Sequence, residues 1–507
     1  MPRKRRRKTA RFTVERARYI CYTEKRNGGG EKRTVKRKNG NTIKTKEYFT
    51  YALGSFGYAS ITGYVSSYYN YFLTNCLLLS PAVIGTLMLV SRIWDGVNDP
   101  IEGVVIDKTK TRFGKLRPYV LVSVLPLAAL TVLMFTVPPF GDTGKTVYTY
   151  IVYILFGTVC SFAGTVSSGM GCVATYDGKE RSRFITVGSV SRSAGEASPY
   201  VFILLITFLV TKLLGENDPY MNHHVTAWLC GLGGAALFGL TWFNKERLTQ
   251  EQEKVTLKDS LTVLFNNKPL LLMVVSRFIG FGIYLSTAVQ VYIAAYFLGG
   301  SDKTLMLGIP TAVGSVVGML IVPWFANRFG LKKTYVLFSV FGSAMLTVLY
   351  FMGYESLMSE KISIPYYLVL FLTGIRYGNT NIVPNLMLAD SLDYKEWKTG
   401  LRMEGSANAV MGLTNKVTGA LSTALMNYGL AFFRFVSPVT DELTGRAVEQ
   451  VQSATALTGM HMMFTLIPAA FGLLSIIPIL FYDFEGRKKE EILAELRARK
   501  HAAVKED

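Results

Sequence analysis

Charge is scarce in this chain of 507 residues: 18% are Asp, Glu, Lys or Arg, against 50% hydrophobic. A soluble protein is about a quarter charged, so a fully water-facing shell is excluded. Cysteine is sparse and unpatterned. Cys21, Cys76, Cys160, Cys172 and Cys230 follow neither a metal-ligand spacing nor a disulfide framework; most lie in apolar runs and read as small core residues. Of the few histidines, His223 and His224 fall in a predicted loop and His461 near the start of a predicted span. None has a metal-binding partner at useful spacing, and no role is assigned to them. There is no phosphate-cradling glycine loop, nucleotide motif or nucleophile–base arrangement, so an enzyme is not expected. Residues 1–46 lack an apolar h-region, so no signal peptide is expected.

What the chain has is long apolar runs. A transmembrane helix needs roughly 20 mostly apolar residues to cross a hydrocarbon core of about 30 Å. Twelve such stretches are present, near 50–75, 83–106, 118–137, 147–174, 184–213, 225–243, 270–298, 304–326, 333–353, 365–389, 405–434 and 459–482. Several carry polar interruptions, as expected of helices with one face on a cavity. Ahead of them, residues 1–46 hold 18 Lys or Arg against three Glu, a local charge of +15. In a soluble protein such a tail suggests nucleic acid. Beside a span it reads as a disordered cytoplasmic tail on anionic lipid head groups, with no nucleic acid partner.

Loop charge sets the expected orientation. With the N-terminus inside, the inner loops carry 19 Lys or Arg and the outer loops six, which places both termini in the cytoplasm. The chain also repeats itself. Asp107-Lys108 and Arg112-Phe113-Gly114-Lys115 follow span two, and Asn327-Arg328-Phe329-Gly330-Leu331-Lys332-Lys333 follows span eight. The expectation is an all-α membrane protein with twelve helices in two six-helix halves, 47–243 and 270–485. A central loop at 244–269 joins them, and a second tail occupies 486–507. Two six-span halves around a midplane site is the architecture of the major facilitator superfamily.

The sharpest motif lies on span two: Arg92-Ile93-Trp94-Asp95-Gly96-Val97-Asn98-Asp99-Pro100. Asp95 and Asp99 are four residues apart and share a helix face. Each charge at the bilayer centre costs at least about 2.5–3.5 kcal/mol, and two neighbouring carboxylates repel. A shared proton, a cation or a basic partner relieves both. Oxygen ligands suit a hard cation; the bland reading is that Arg92 pairs with Asp95 in a structural cluster or gate.

The stretch Arg92–Pro118 resembles the signature of the glycoside–pentoside–hexuronide:cation symporters, the melibiose permease-like family. A second stretch agrees: Asp390-Ser391-Leu392-Asp393-Tyr394, then Thr399-Gly400, Arg402, Glu404-Gly405, and Lys416 on span eleven. The likeness covers roughly 47–485. It implies import of a sugar coupled to Na⁺ or H⁺ in the cell membrane, with no other cofactor. It places the cation site on Asp95, Asn98, Asp99 and Ser161, with Lys416 beside it. The cytoplasmic gating motif falls on Arg92, Asp107, Arg112, Lys115, Arg117, Asp393, Arg402 and Glu404. The family's two sugar-binding aspartates and its stacking tryptophan fall on Ala59, Gly164 and Ser168, which speaks against an α-galactoside.

Substrate candidates are Tyr58, Arg192, Glu196, Arg376 and Lys416. Arg suits bidentate recognition of a carboxylate. The bases Arg192, Arg277, Arg376 and Lys416 therefore raise the expectation of an acidic sugar. Against it, Glu196 stands at ion-pair spacing from Arg192. The tyrosines of span one, Tyr58, Tyr64, Tyr68, Tyr69 and Tyr71, suit either sugar stacking or packing. A lipid or other solute carrier, or a transport-inactive sensor on the same scaffold, is the alternative to a symporter.

Overall fold

The computed structural model describes residues 43–506, apart from 110, 176–177, 216–217, 248–263, 359–363, 401–403, 441–446 and 449. The predicted tail up to residue 42 and Arg402 lie outside the described residues. The regular structure among the described residues is helical except for a two-residue antiparallel ladder, Val439–Thr440 against Ala447–Val448.

Twelve long helical segments follow one another among the described residues. In the first half these are α1 (Thr45–Asn75), α2 (Pro81–Lys108), α3 (Arg117–Met134), α4 (Asp142–Val173), α5 (Gly178–Leu214) and α6 (Pro219–Phe243). In the second half, α7 is broken at Gly280 into Lys268–Ile279 and Phe281–Leu298. It is followed by α8 (Thr304–Phe329), α9 (Leu331–Met352), α10 (Ile364–Thr399), α11 (Glu404–Phe432) and α12 (Ala454–Leu480). A last helix, α13 (Gly486–Glu506), follows α12.

The local sequence sets several of these starts. Ser80 caps α2 and Pro81 opens its first turn; Asp218 caps α6, accepting from Met221 N at 3.2 Å, ahead of Pro219. The sixth span therefore begins six residues before the sequence estimate. His223 and His224 lie within it, not in a loop. His223 is fully buried, and its carbonyl accepts from Tyr64 Oη at 2.7 Å.

Among the described residues, eight helical stretches are long and apolar enough to cross a membrane on composition. The four long helices outside that set are α1, α2, α10 and α11, which carry most of the candidate acids, bases and tyrosines. Helices that face other helices or a cavity need less apolar surface than helices that face lipid.

Small residues set the closest crossings. α8 and α10 meet through Gly314 and Gly318 on one side and Gly374 and Gly378 on the other. A Cβ on Gly374 would fall 2.3 Å from the Thr311 carbonyl oxygen, and one on Gly314 2.0 Å from that of Phe371. This four-residue spacing of glycines lets backbones touch where no hydrophobic force separates helix from lipid. In the first half, Gly63 and Gly195 bring α1 against α5 in the same way.

Each half also closes on itself at the face where the described residues begin and end. Glu246, just after α6, accepts from the backbone N–H groups of Lys115, Leu116 and Arg117 at 2.8–2.9 Å. Glu485, just after α12, accepts from Lys332 N at the start of α9. Both carboxylates sit on a helix N-terminus, where unpaired N–H groups and the helix dipole favour negative charge.

Gly374→Val adds three carbon atoms, the first of them 2.3 Å from a backbone carbonyl oxygen. It is expected to destabilise the folded protein by at least about 1–3 kcal/mol, whereas Gly412→Val, where a Cβ meets nothing within 4 Å, leaves stability unchanged. Thermal melting of the detergent-solubilised protein by size-exclusion fluorescence compares the two.

Candidate functional site

Three α2 carboxylates are held by four different neighbours. Asp99 accepts from Ser161 Oγ of α4 at 2.7 Å through Oδ1, and Oδ2 pairs with Lys416 Nζ of α11. Asp95 Oδ2 takes Arg92 Nη1 at 3.1 Å. Asn98 donates its amide to Glu102 Oε1. One turn beyond Asp99, Glu102 is a third acid on this helix and almost fully buried. The sequence reading passed over it, although its spacing of three from Asp99 and seven from Asp95 places it on the same face.

Asp95, Asp99, Ser161 and Lys416 therefore lie together. Among the described residues, no three acids, histidines or cysteines are grouped so as to hold a metal ion. Ser161 holds Asp99 Oδ1, and the Lys416 ammonium meets the other oxygen, Oδ2. Arg92 pairs with Asp95, as the bland reading held.

Beside this cluster lies a cavity of about 440 Å³ between α1, α2, α4 and α5, with Lys416 at its edge. Tyr58, Tyr153 and Phe156 give it ring surface; Asp95, Arg92 and Arg192 give it charge. Arg192 lies over the Tyr58 ring at 5.5 Å and pairs with Glu196 Oε1 at 3.2 Å. Tyr58 Oη donates to the Cys160 carbonyl at 3.1 Å.

The departures from the family's sugar residues have a spatial reason. A Cβ on Gly164 would fall 2.6 Å from Tyr58 Oη, so the tyrosine hydroxyl fills the place of an aspartate there. Ala59 is fully buried, with its methyl against Gly195 of α5. Ser168 lines the cavity, but its hydroxyl donates to its own helix at the Gly164 carbonyl, 2.8 Å away.

Arg376 is the candidate that the structure sets apart. It is 3% exposed, lies against Gly342 of α9 and Gly472 of α12, and donates to the Pro468 carbonyl at 3.4 Å. It is not among the residues that line this cavity; sequence alone could not tell which face of α10 it occupies. Arg277 of α7, partly exposed, donates to Asn415 Oδ1, next to Lys416, at 2.5 Å.

Of the gating positions, Arg117 donates Nε to the Trp242 carbonyl at 2.8 Å and stacks on that ring. Arg112 lies over Phe113, and Lys115 contributes its backbone N–H to Glu246. Asp393 lies on α10, half-buried. Asp107 ends α2 and Glu404 opens α11, but their side chains, like Arg402, lie outside the described residues. The partner of Asp390 comes from α13: Lys489 Nζ stands 2.6 Å from its carboxylate.

The halves are pinned at the face opposite the one where the described chain begins and ends. Thr74 and Tyr292 hydroxyls meet at 2.9 Å, Asn75 donates to Tyr296 Oη at 2.6 Å, and Asn427 donates to Asn70 at 3.0 Å. Asp99–Lys416 is the ion pair that joins the halves among the described residues.

Comparison with known proteins gives one answer. A family model described as MFS/sugar transport protein matches residues 50–486. The isoprimeverose transporter of Lactiplantibacillus pentosus is 30% identical over 485 residues, covering 91% of this chain and 93% of its own. The glucuronide carrier protein homolog of Escherichia coli strain K12 is 25% identical, covering 89% and 95%. Among solved structures, the nucleoside transporter NupG superposes with a TM-score of 0.59 at 13% identity, covering 86% of this chain and 100% of that one; that likeness speaks to the fold. The protein is a multi-pass membrane transporter and not an enzyme, and it belongs to the MFS/sugar transport protein family.

Proposed function

We propose that this protein is a secondary active symporter of the cell membrane that imports a sugar glycoside together with Na⁺ or H⁺ by alternating access. The observation that carries this is the Asp99–Ser161–Lys416 cluster beside a cavity of about 440 Å³ with aromatic and charged walls. A volume of that order suits a small polar ligand. The relatives support it: one is an isoprimeverose transporter and another a putative glycoside/cation symporter.

Coupling follows from competition at Asp99. A cation that reaches Asp99 and Ser161 displaces the Lys416 ammonium, because two positive charges at one carboxylate repel. Lys416 belongs to the other half, so cation arrival alters the contact that holds the halves together. With both termini in the cytoplasm, as the loop charges indicate, the Thr74–Tyr292 and Asn70–Asn427 contacts close the outer side. The basic tail then meets anionic lipid head groups on the inner side.

The balance of charge favours a neutral sugar. Arg92, Arg192 and Lys416 each face an acid, and Arg376 is away from the cavity. A hexuronide is the second reading, and Arg277 favours it, since its partner is an uncharged amide.

Three outcomes are expected in proteoliposomes. Asp99→Asn and Asp95→Asn each reduce cation-driven accumulation of isoprimeverose at least tenfold. Accumulation by both variants at the unmutated level refutes the coupling role. Methyl glucoside competes better than methyl glucuronide; the reverse order, abolished by Arg277→Gln, supports the hexuronide reading. Gly164→Asp drives Tyr58 from its place and lowers uptake at least tenfold, read as initial rate at matched protein density.

A further inference from the structure

His223 is a buried ionisable side chain with no part in the cation cluster or the cavity. It lies in the first turns of α6 and is fully enclosed. Five rings surround it: those of Tyr64, Tyr68, Tyr71 and Phe72 on α1 and of Phe135, just after α3, have centroids 5.4–6.5 Å from its own. Tyr64 Oη donates its proton to the His223 carbonyl at 2.7 Å and stands 3.3 Å from Nδ1. That oxygen can then only accept from Nδ1–H, which leaves Nε2 as an acceptor. What meets Nε2 comes from the other half. It is Ser301 Oγ, 3.4 Å away, in the turn Ser301–Lys303 between α7 and α8.

A charged ring would find no counter-ion here. From α1 it faces phenols. Its own helix adds Tyr220 and His224, stacked on each other at 5.5 Å, and His224 Nδ1 lies 2.9 Å from the Phe135 carbonyl. The turn adds Asp302, whose charge acts on Tyr68, and Lys303, whose Nζ donates to the Leu298 carbonyl. Among the described residues, no charged side chain acts on His223 itself. Cation–π contact with the rings is worth about 0.5–2 kcal/mol, less than the several kcal/mol that an unpaired buried ion costs. The closed arrangement therefore requires the neutral ring.

Resting on the alternating-access reading, with this side outward, we propose that His223 is a proton-sensitive seat of the outer gate. The gate closes over the neutral imidazole, and a proton taken from the outside medium while the gate is open keeps it open. Opening lifts Ser301 away and lets outside water reach Nε2, so the exposed ring titrates as an ordinary histidine, near pH 6.5. Between about pH 7.5 and about pH 5.5, that linkage moves the equilibrium towards the open form by up to about tenfold. Acid outside thus hinders the closing step that carries substrate inwards. This effect is separate from coupling at Asp99.

The test reads the gate and not transport. In the full chain with Cys21, Cys76, Cys160, Cys172 and Cys230 replaced by serine, Ser66→Cys puts a thiol on the cavity wall, inward of the Asn70 and Thr74 contacts on α1. Right-side-out vesicles buffered inside at about pH 7.5 are treated with a membrane-impermeant maleimide. Each labelling rate is divided by that of the same protein carrying His223→Gln at the same outside pH, which cancels the ionisation of the thiol and any effect at Asp99. The ratio is expected to rise at least threefold as the outside pH falls from about 7.5 to about 5.5; a smaller rise overturns the role of His223. Ser301→Asp, which sets a carboxylate against Nε2 in the closed form, is expected to abolish or reverse the rise, and a full rise in that variant refutes the charge argument. A misfolded His223→Gln is recognised by its melting curve, and the ratio of the Ser301 protein to Ser301→Asp then decides. If no variant is labelled from outside at any pH, alternating access itself fails, and the gate seat with it.

Discussion

The contact on which the functional account depends is the ion pair between Asp99 of α2 and Lys416 of α11. A carboxylate within the membrane is costly unless something positive or a proton meets it. Here the compensating charge comes from the other six-helix half, so solvation of the acid and adhesion of the halves are one interaction. Ser161 of α4 fixes the second oxygen of Asp99, which leaves the remaining oxygen to the lysine. Any monovalent cation drawn to this oxygen pair must contend with Lys416. A site that can be satisfied either from across the interface or by an ion links ion binding to the relation between the halves, as alternating access requires.

The surrounding acids and bases are arranged so that this contest stays local. Arg92 meets Asp95 on the same helix, and Arg192 meets Glu196 on the same helix. Both are pairs within one element and survive any movement of one half against the other. Asp99–Lys416 crosses the interface and does not. The rigid parts are made by a different means: glycine contacts between α8 and α10 and between α1 and α5, and the Glu246 and Glu485 carboxylates that close each half on a helix N-terminus.

Much of this was legible in the sequence because charges in apolar runs are rare and helix spacing is fixed. The four-residue interval from Asp95 to Asp99 placed both on one face, and Lys416 was identified through the order of motifs on spans ten and eleven. Other features were hidden for physical reasons. Glu102 carried the same spacing signal but stood outside the quoted motif. The surroundings of Arg376 were not legible either, since it lies against Gly342 and Gly472, which are distant in sequence. Glu246 and Glu485 lie in polar segments where an acid carries no signal; only the fold brings them to the starts of α3 and α9. The reason for glycine at position 164 also lay elsewhere, in the position of the Tyr58 hydroxyl.

The central claim is that Lys416 and the coupling cation exclude each other at Asp99. Trp94, next to Asp95 and bonded through Nε1 to Thr158 of α4 at 2.9 Å, is a native reporter of that region. In a variant that keeps Trp94 as its one tryptophan, its fluorescence can be titrated with Na⁺ at fixed pH, and separately with H⁺. The account predicts that Lys416→Gln shifts the half-saturation point for the coupling ion about tenfold towards tighter binding, because the competing ammonium is gone. An unchanged or weakened midpoint, with the protein still folded, would contradict it.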